Sequence, residues 1–264
     1  MFLTTTRVVV SHWVSISMRI AAISDIHGNS AALNAVLCDI DKYGVDLIVN
    51  LGDHFSGPLD ARGTADQLLS LDMINILGNH DRWIAKQDHS MMGPSDYSAD
   101  SQLEQSHREW LCGLPQTAIV EDVYLCHGTP SSDTTYWMEA VKPDGSVCMA
   151  DQRHIEHHAV GIDTSVIICG HTHLPRIMRL QDGRLLVNPG SVGCPGYDDV
   201  TPVPHVMQTG NPDAQYAVLE CVNGRWSVQL RTVQYQTQRM VDMAVANGRL
   251  EWASALKTGW VSVN

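Results

Sequence analysis

An α/β fold in which two β-sheets pack together with helices outside is what this sequence predicts, and three observations carry the prediction. Short apolar runs alternate with amphipathic helical stretches through the first third of the chain. Alternation of that kind implies a largely parallel sheet joined by right-handed crossovers. The second half reads instead as a series of hairpins, turning at Glu121-Asp122, Asp182-Gly183 and Asn223-Gly224. No repeat, long linker or low-complexity tract divides the chain, so residues 18–264 are expected to form a single domain.

Residues 1–17, MFLTTTRVVVSHWVSIS, come first and stand apart. They hold one basic residue, and Ser11 and His12 break their apolar stretch. That is a poor signal peptide, and cleavage further in, near Ala21-Ala22, would cut the first strand. Secretion is therefore not expected. Met18 makes a more natural opening, so the extension is expected to be a loose, disordered tail or a start assigned too early. An extra edge strand, VVVSHWVSI, is the alternative.

Ile20 to Ile23 reads as a buried strand that runs into Ser24-Asp25-Ile26-His27-Gly28-Asn29. In the SAALNAVLCDIDKYG that follows, Leu33, Val36, Leu37 and Ile40 fall at i, i+3, i+4 and i+7, one face of a helix. Asn29 or Ser30 can cap it and Gly44 can end it. Asp46 to Leu51 is a second buried strand, entering Gly52-Asp53-His54. A short helix around Thr64 to Leu71 precedes a third strand, Met73 to Leu77, which enters Gly78-Asn79-His80-Asp81. Arg82 to Gly113 reads as two helices flanking a loop at Met92 to Pro94, with Leu103, Trp110 and Leu111 packed on the core.

Thr117 to Val120 and Val123 to Cys126 form a predicted hairpin that leads into His127-Gly128-Thr129-Pro130. Ser131 to Met149 reads as irregular, and a helix around Ala150 to Ala159 follows. Val166 to Cys169 is another buried strand, entering Gly170-His171-Thr172-His173. Arg176 to Leu180 and Arg184 to Val187 make a hairpin, Asn188-Pro189-Gly190-Ser191 a tight turn, and Val192 to Ala214 a Gly-, Pro- and Asp-rich loop. Tyr216 to Val222 and Trp226 to Val233 alternate about Asn223-Gly224, and short helices over Arg239 to Ala246 and Glu251 to Leu256 close the chain.

Composition narrows the function. The 264 residues suffice for one substantial core. A net charge of −12 argues against a protein that grips the phosphate backbone of nucleic acid or an anionic membrane surface. No apolar run reaches the roughly 18–20 residues of a membrane helix. The seven cysteines are odd in number, form no C-x-x-C pair, and lie partly within apolar runs such as VYLC and VIIC. That usage predicts reduced thiols and a cytoplasmic protein.

The 13 histidines are many for this length, and their placement is the main functional clue. Five strand ends carry Asp25 and His27, Asp53, Asn79 and His80, His127, and His171 and His173. In sheets of this kind ligands bind beyond the carboxyl ends of the strands. Imidazoles mixed with carboxylates, without cysteine, suit a paired site for divalent transition metals. One carboxylate must bridge such a pair, and Asp53, alone at the middle strand end, is the natural candidate. Two metals roughly 3.5–4 Å apart lower the pKa of a bridging water and grip a phosphoryl group.

D-x-H, G-D, G-N-H-D, H-G and G-H-T-H, in this order and each after a strand, resemble the calcineurin-like metallophosphoesterase superfamily from Met18 to about Gly193. VNPGSVG and the C-terminal ANGR segment are similar to its small bacterial and archaeal members, some of them described as diadenosine tetraphosphatase-like. The resemblance implies a four-layer αββα sandwich of two mixed sheets flanked by helices. It implies two divalent ions, of Mn, Fe, Zn, Ni or Co with Mn favoured, and a bridging hydroxide that attacks phosphate mono- or diesters. Asp25, His27 and His173 would hold one ion, Asn79, His127 and His171 the other, and Asp53 would bridge. Asn79 and His80 would touch the phosphate, and His80, steadied by Asp81, would be the general acid for the leaving oxygen. Its partner would be a small phosphorylated substrate; an oligomeric state is not implied.

One departure is visible. Ser/Thr protein phosphatases of this superfamily follow G-D with a segment carrying Asp-Arg-Gly, whereas Gly52-Asp53 is followed here by HFSGPLD. His54 is the candidate to replace the missing phosphate-binding arginine in part. The departure weakens a protein-phosphatase reading, which stays beside a dinucleoside polyphosphate hydrolase as the alternative. A non-catalytic scaffold on the same fold, like the retromer subunit, is disfavoured because every ligand position is filled.

The remaining histidines are read as ordinary. His154, His157 and His158 lie on one helix and are expected to be a solvated face, with His89, His107 and His205 similar. Cys126 and Cys169 are expected as small core residues. Ser191 lacks the G-x-S-x-G elbow of a serine nucleophile. Asn188-Pro189-Gly190 would close the floor of the site, and Trp83 either lines it or packs a helix.

Overall fold

The computed structural model describes residues 6–8 and 17–262. The chain runs β1 (Thr6–Val8), β2 (Ser17–Ile23), α1 (Ser30–Tyr43), β3 (Leu47–Asn50), α2 (Ala61–Leu69), β4 (Ile74–Asn75), α3 (Asn79–Lys86), α4 (Pro94–Asp100) and α5 (Gln105–Gly113). It continues through β5 (Ala118–Val120), β6 (Val123–Leu125), β7 (Glu139–Val141), β8 (Val147–Met149), α6 (Gln152–His158), β9 (Val166–Ile168), β10 (Arg176–Arg179) and β11 (Leu185–Asn188). The last elements are β12 (Gly196–Asp199), β13 (His205–Gln208), β14 (Ala214–Val222), β15 (Arg225–Val233), α7 (Gln238–Ala246) and α8 (Leu250–Thr258).

The strands form two large mixed sheets. One has the order β15-β14-β2-β3-β4, the other β1-β5-β6-β9-β11-β10. β2, β3 and β4 are parallel, as are β6, β9 and β11, while β14 and the hairpin partners run against them. The parallel strands place five loops at one end of the two sheets, and these loops carry the polar clusters noted above.

Side-chain alternation builds the layers. Along β2, Ile20 and Ala22 face the other sheet, where they meet Val123, Leu125, Val166 and Ile168. Ala21 and Ile23 face outward against Leu33, Val36 and Ile40 of α1. On the far side, Tyr124, Ile167 and Leu186 pack against Ile155 of α6 and Trp137. Three apolar interfaces between four layers are the expected αββα sandwich. A fourth cluster joins α7 and α8 to Leu59 and Cys194. α1 shows the local logic: the Asn29 side chain accepts from the Ala32 N–H at 3.0 Å, and Gly44, at φ 77°, ends the helix.

Several expected boundaries move. β4 spans only Ile74–Asn75, and residues 79–113 hold three α-helices rather than two. β7 and β8 form a hairpin within a stretch read as irregular; its Lys142-Pro143-Asp144-Gly145 is itself a turn signature. β12 and β13 pair within the predicted loop Val192–Ala214, with Asp198, Asp199 and His205 in their register. Those residues have poor intrinsic strand preference, so only pairing reveals them. The possible edge strand over residues 8–16 lies outside the described residues apart from Val8; β1 ends there and pairs parallel with β5.

Candidate metal centre

The loops at the strand ends bend back sharply. Asp25, His27, Asp53, His171 and His173 have φ of 55°, 50°, 55°, 69° and 60°, in the left-handed region. Among the described non-glycine residues only Glu121 and Asn223 share it, and both sit at hairpin turns. For a non-glycine residue that backbone costs roughly 1–2 kcal/mol. Here it turns successive side chains inward at one point. Glycine permits the loops to touch: a Cβ on Gly52 would lie 2.2 Å from the Gly78 nitrogen, and one on Gly78 would lie 2.1 Å from Asp53 Oδ1.

Two groups of ligand-type atoms result. Asp25, His27 and His173 converge within 4.8 Å of one another, and so do Asp53, His127 and His171. Asp53 Oδ2 lies 3.2 Å from His127 Nε2 and 3.8 Å from His27 Nε2, so it stands between the groups. Asn79 Oδ1 is 3.1 Å from His127 Nε2. The expected ligands therefore all come together.

Hydrogen bonds turn the imidazoles the right way for a cation. His27 Nδ1 faces the Ser56 carbonyl at 2.7 Å, His127 Nδ1 that of Leu51 at 2.8 Å, and His173 Nδ1 that of Cys194 at 2.7 Å. A carbonyl only accepts, so each Nδ1 carries its proton and each Nε2 is left for the centre. His27 Nε2 and His173 Nε2 lie 3.2 Å apart. Two lone pairs at that separation repel unless positive charge sits by them. Asp25 Oδ1, fully buried, has no hydrogen-bond partner. An orphaned carboxylate oxygen facing imidazole lone pairs is what a divalent ion would satisfy, so the residues fit such an ion.

Proton affinities carry the same demand for positive charge. Burial opposes ionisation of Asp25, yet His173 and His127 beside it hold its carboxyl down at about 2. Asp53 is held well below the usual carboxylate range against burial, by His127 and His80. Burial disfavours the cation on His127 too, but Asp53 pushes it up to about 10, and Asp25 raises His173 in the same way. Burial and neighbouring imidazoles lower His27 and His171 to about 4.

Two expected contacts do not form. Asp81 does not steady His80. Its carboxylate accepts from the backbone N–H groups of Asp53, His54 and Gly78 and pairs with His54 Nδ1 at 2.7 Å. At the third position of α3 it points back over the helix start, as a capping residue does. His54 does not reach a substrate either; it is wholly buried between Phe55 and Trp110. The group on His80 is Asp96, 3 % exposed on α4, whose Oδ1 lies 2.7 Å from His80 Nδ1, with Ser56 Oγ at 3.2 Å. Burial lowers the His80 pKa, but Asp53 and Asp96 outweigh it and raise it. Sequence reasoning missed Asp96 because Met92-Gly93-Pro94 signals only a helix start.

A cavity of about 630 Å³ opens over the two groups. Trp83 lines it, edge-on to His80 at 4.8 Å between ring centroids, which decides between its two readings. Tyr136, Tyr197, Arg249 and Trp252 line it as well; Arg249 closes the ANGR segment, and the other three come from stretches without a readable motif. Tyr197 OH donates to the His171 carbonyl at 3.2 Å. Asn188 braces the floor: its Nδ2 donates to the Gly170 carbonyl at 2.8 Å. His107 and His205 are buried rather than solvated, against Asp66 and Tyr136. His154 and His158 pack edge-on at 4.7 Å, with His154 Nε2 on the Tyr136 carbonyl, while His157 is exposed. Cys126 and Cys169 are buried core thiols.

Residues 18–223 match the sequence model of the calcineurin-like phosphoesterase superfamily domain. An uncharacterized protein of Methanocaldococcus jannaschii is 26% identical over 259 residues, covering 88% of this chain and 94% of the relative. The crystal structure of a metallophosphoesterase from Sphaerobacter thermophilus is 27% identical, covers 92% of this chain and 100% of its own, and superposes with a TM-score of 0.72. A protein proposed to be a diadenosine tetraphosphatase shares the fold at 16% identity, with 88% and 99% coverage and a TM-score of 0.52.

Proposed function

The chain belongs to the calcineurin-like phosphoesterase superfamily, and from that premise we propose that it hydrolyses small phosphate mono- or diesters with two divalent metal ions, manganese favoured. The observation that carries this reading is the convergence of two carboxylate–imidazole groups, joined through Asp53, beneath a cavity that also presents His80. Asp25, His27 and His173 would hold one ion, Asn79, His127 and His171 the other, and Asp53 both. Ions so held supply Lewis acidity toward phosphoryl oxygens and make water acidic near neutral pH.

The chain's own residues do the rest. His80 lines the cavity, and its Nδ1 hydrogen-bonds Asp96. That bond keeps the Nδ1 proton in place and leaves Nε2 for the leaving oxygen. Asp53 Oδ1 accepts the His80 backbone N–H at 3.0 Å, which ties the acid to the bridging carboxylate. As a water oxygen bonds to phosphorus and gives up a proton to solvent, the bond to the leaving oxygen breaks, the proton on His80 Nε2 moves to that oxygen, and His80 is reprotonated from solvent. Asn79 and His80 would touch the phosphate. The role first expected of Asp81 passes to Asp96.

Two further readings follow from the sequence. Seven free cysteines support a cytoplasmic setting. Among the described residues no helix is long and apolar enough to cross a membrane, and a small phosphorylated molecule, not nucleic acid or membrane, is the proposed partner. The test is a turnover panel on the manganese-loaded chain: an aryl monoester, an aryl diester, cyclic nucleotides, a dinucleoside polyphosphate and a phosphopeptide. Turnover of at least one, abolished by chelator and restored by metal, is expected. Metal-loaded protein that turns over none of them would overturn the reading.

A further inference from the structure

We infer that Arg249, at the start of α8, binds a second anionic group on the leaving side of the substrate. The substrate class would then be phosphoesters or phosphoanhydrides whose leaving portion is itself charged. This rests on the phosphoesterase reading and deepens it. Arg249 and Trp252 both lie beyond residues 18–223, the span that matches the family model.

Among the described residues lining the cavity, Arg249 is the one Arg or Lys. Arg82, near it in sequence to His80, is engaged elsewhere, gripping Asp133 through Nε at 2.6 Å and Nη2 at 2.9 Å. The sequence lacks the arginine that follows G-D in protein phosphatases, and buried His54 does not replace it. Arg249 is placed to supply a cationic contact to substrate.

Its position is built, not adventitious. Arg249 Nη1 donates to Ser95 Oγ at 3.0 Å and Nε donates to Glu251, while the guanidinium sits 5.9 Å from the ring centre of Trp252. These contacts leave the Nη2 protons without a described partner. Trp252, 7% exposed, packs on the loop after Asp53; a Cβ on Gly57 would lie 3.0 Å from its ring. Gly57 in turn donates its N–H to the Ser95 carbonyl at 3.2 Å. Ser95 is the residue before Asp96, which holds His80. The arginine is thus braced one residue from the support of the proposed general acid, and that acid faces the leaving oxygen. A guanidinium with free Nη2 protons there can donate a charged hydrogen bond to an oxygen of phosphate or carboxylate.

The test compares phenyl phosphate, 4-carboxyphenyl phosphate and inorganic pyrophosphate on the manganese-loaded full chain. The wild type is expected to prefer a charged leaving group over phenyl phosphate in kcat/KM. In Arg249→Gln that preference ratio should fall about tenfold or more, the scale of one charged hydrogen bond. Arg249→Lys should lie between, since an ammonium keeps charge but loses the fork. A larger fall for pyrophosphate assigns the anion as phosphate, a larger fall for the carboxyphenyl ester as carboxylate. An equal loss for all three probes, or a wild type without the preference, overturns the inference and leaves the phosphoesterase reading standing. A wild type that turns over none of them overturns the inference, and the phosphoesterase reading falls with it only if every member of the wider panel above also fails. Should Arg249→Gln fail to fold, an unchanged ratio in Arg249→Lys overturns the inference by itself.

Discussion

The two ligand groups are built from the same residue types but are held differently. In the group of Asp25, His27 and His173, both imidazoles are pinned at Nδ1 by a backbone carbonyl, and all three residues are buried. In the group of Asp53, His127 and His171, His127 is pinned in the same way but His171 is not. Among the described residues its ring takes no hydrogen bond; it packs against the rings of His127 and Tyr136, each 5.1 Å away, and is partly exposed. A ligand whose tautomer and orientation are fixed by a carbonyl loses less freedom on binding. The comparison teaches that one half of the centre has both imidazoles fixed by carbonyls, while the other leaves His171 unpinned and partly exposed.

The largest effect is expected where the halves join. Asp53→Asn removes the charge that both groups share, and kcat on an aryl phosphate should fall on the order of 10³-fold or more, measured in excess metal. Undiminished activity would sink the two-ion reading and with it the comparison. Next comes the asymmetry itself. Titration of manganese into the metal-free chain, followed calorimetrically, should show two steps separated by about 10–100-fold in affinity. The tighter step should vanish in His173→Ala and the weaker in His171→Ala; a single step, or the reverse assignment, breaks the ranking.

A third prediction sharpens the partly exposed half. Asp96→Asn should lower kcat about 10–100-fold on an alkyl phosphate, whose leaving oxygen needs a proton. Loss on a nitrophenyl ester should be smaller, because that leaving group departs without one. Equal losses on both esters would mean that Asp96 only supports the loop.

The smallest effect lies outside both groups and calibrates them. Asp39 accepts from Tyr216 at 2.7 Å and from Arg231 at 2.9 Å. Burial raises its pKa, but these partners outweigh burial, and the folded-state value is lowered. An Asp with a depressed folded pKa stabilises above its unfolded value of about 3.9, and that stability is lost as pH falls through the folded value. Asp39→Asn should therefore cost less than about 1 kcal/mol at pH 7, given the solvent screening of a part-exposed pair. The difference should shrink toward zero in thermal melts taken at progressively lower pH. A cost that persists unchanged in acid would assign the effect to packing.

The fold was legible where period and turn chemistry agree. β2 with α1 and the β14–β15 hairpin follow from apolar spacing and from Asn223-Gly224. β7–β8 and β12–β13 were not, because their strands carry little apolar alternation and exist through pairing. In the site, the convergence of the candidate ligand residues was legible because each follows a strand, and parallel strands deliver their ends to one place. Asp81 and His54 were misplaced because adjacency to a motif says nothing of where a side chain turns. Asp96 is 16 residues from His80 on a separate helix, and Arg249 is farther still, so no spacing connects them to the centre.

Local physics thus lies within the reach of sequence alone. The apolar periods determine the layers, and glycine-flanked Asp, Asn and His at strand ends determine a donor set suited to divalent ions. Left-handed backbone at five of those ligands, the carbonyls that orient their rings, and the partners of His80 were decided only by the tertiary structure. The reason is one of range. A strand's period and a turn's chemistry are settled by neighbours a few residues apart, whereas the direction of a buried polar side chain is settled by whichever distant group can satisfy its hydrogen bonds.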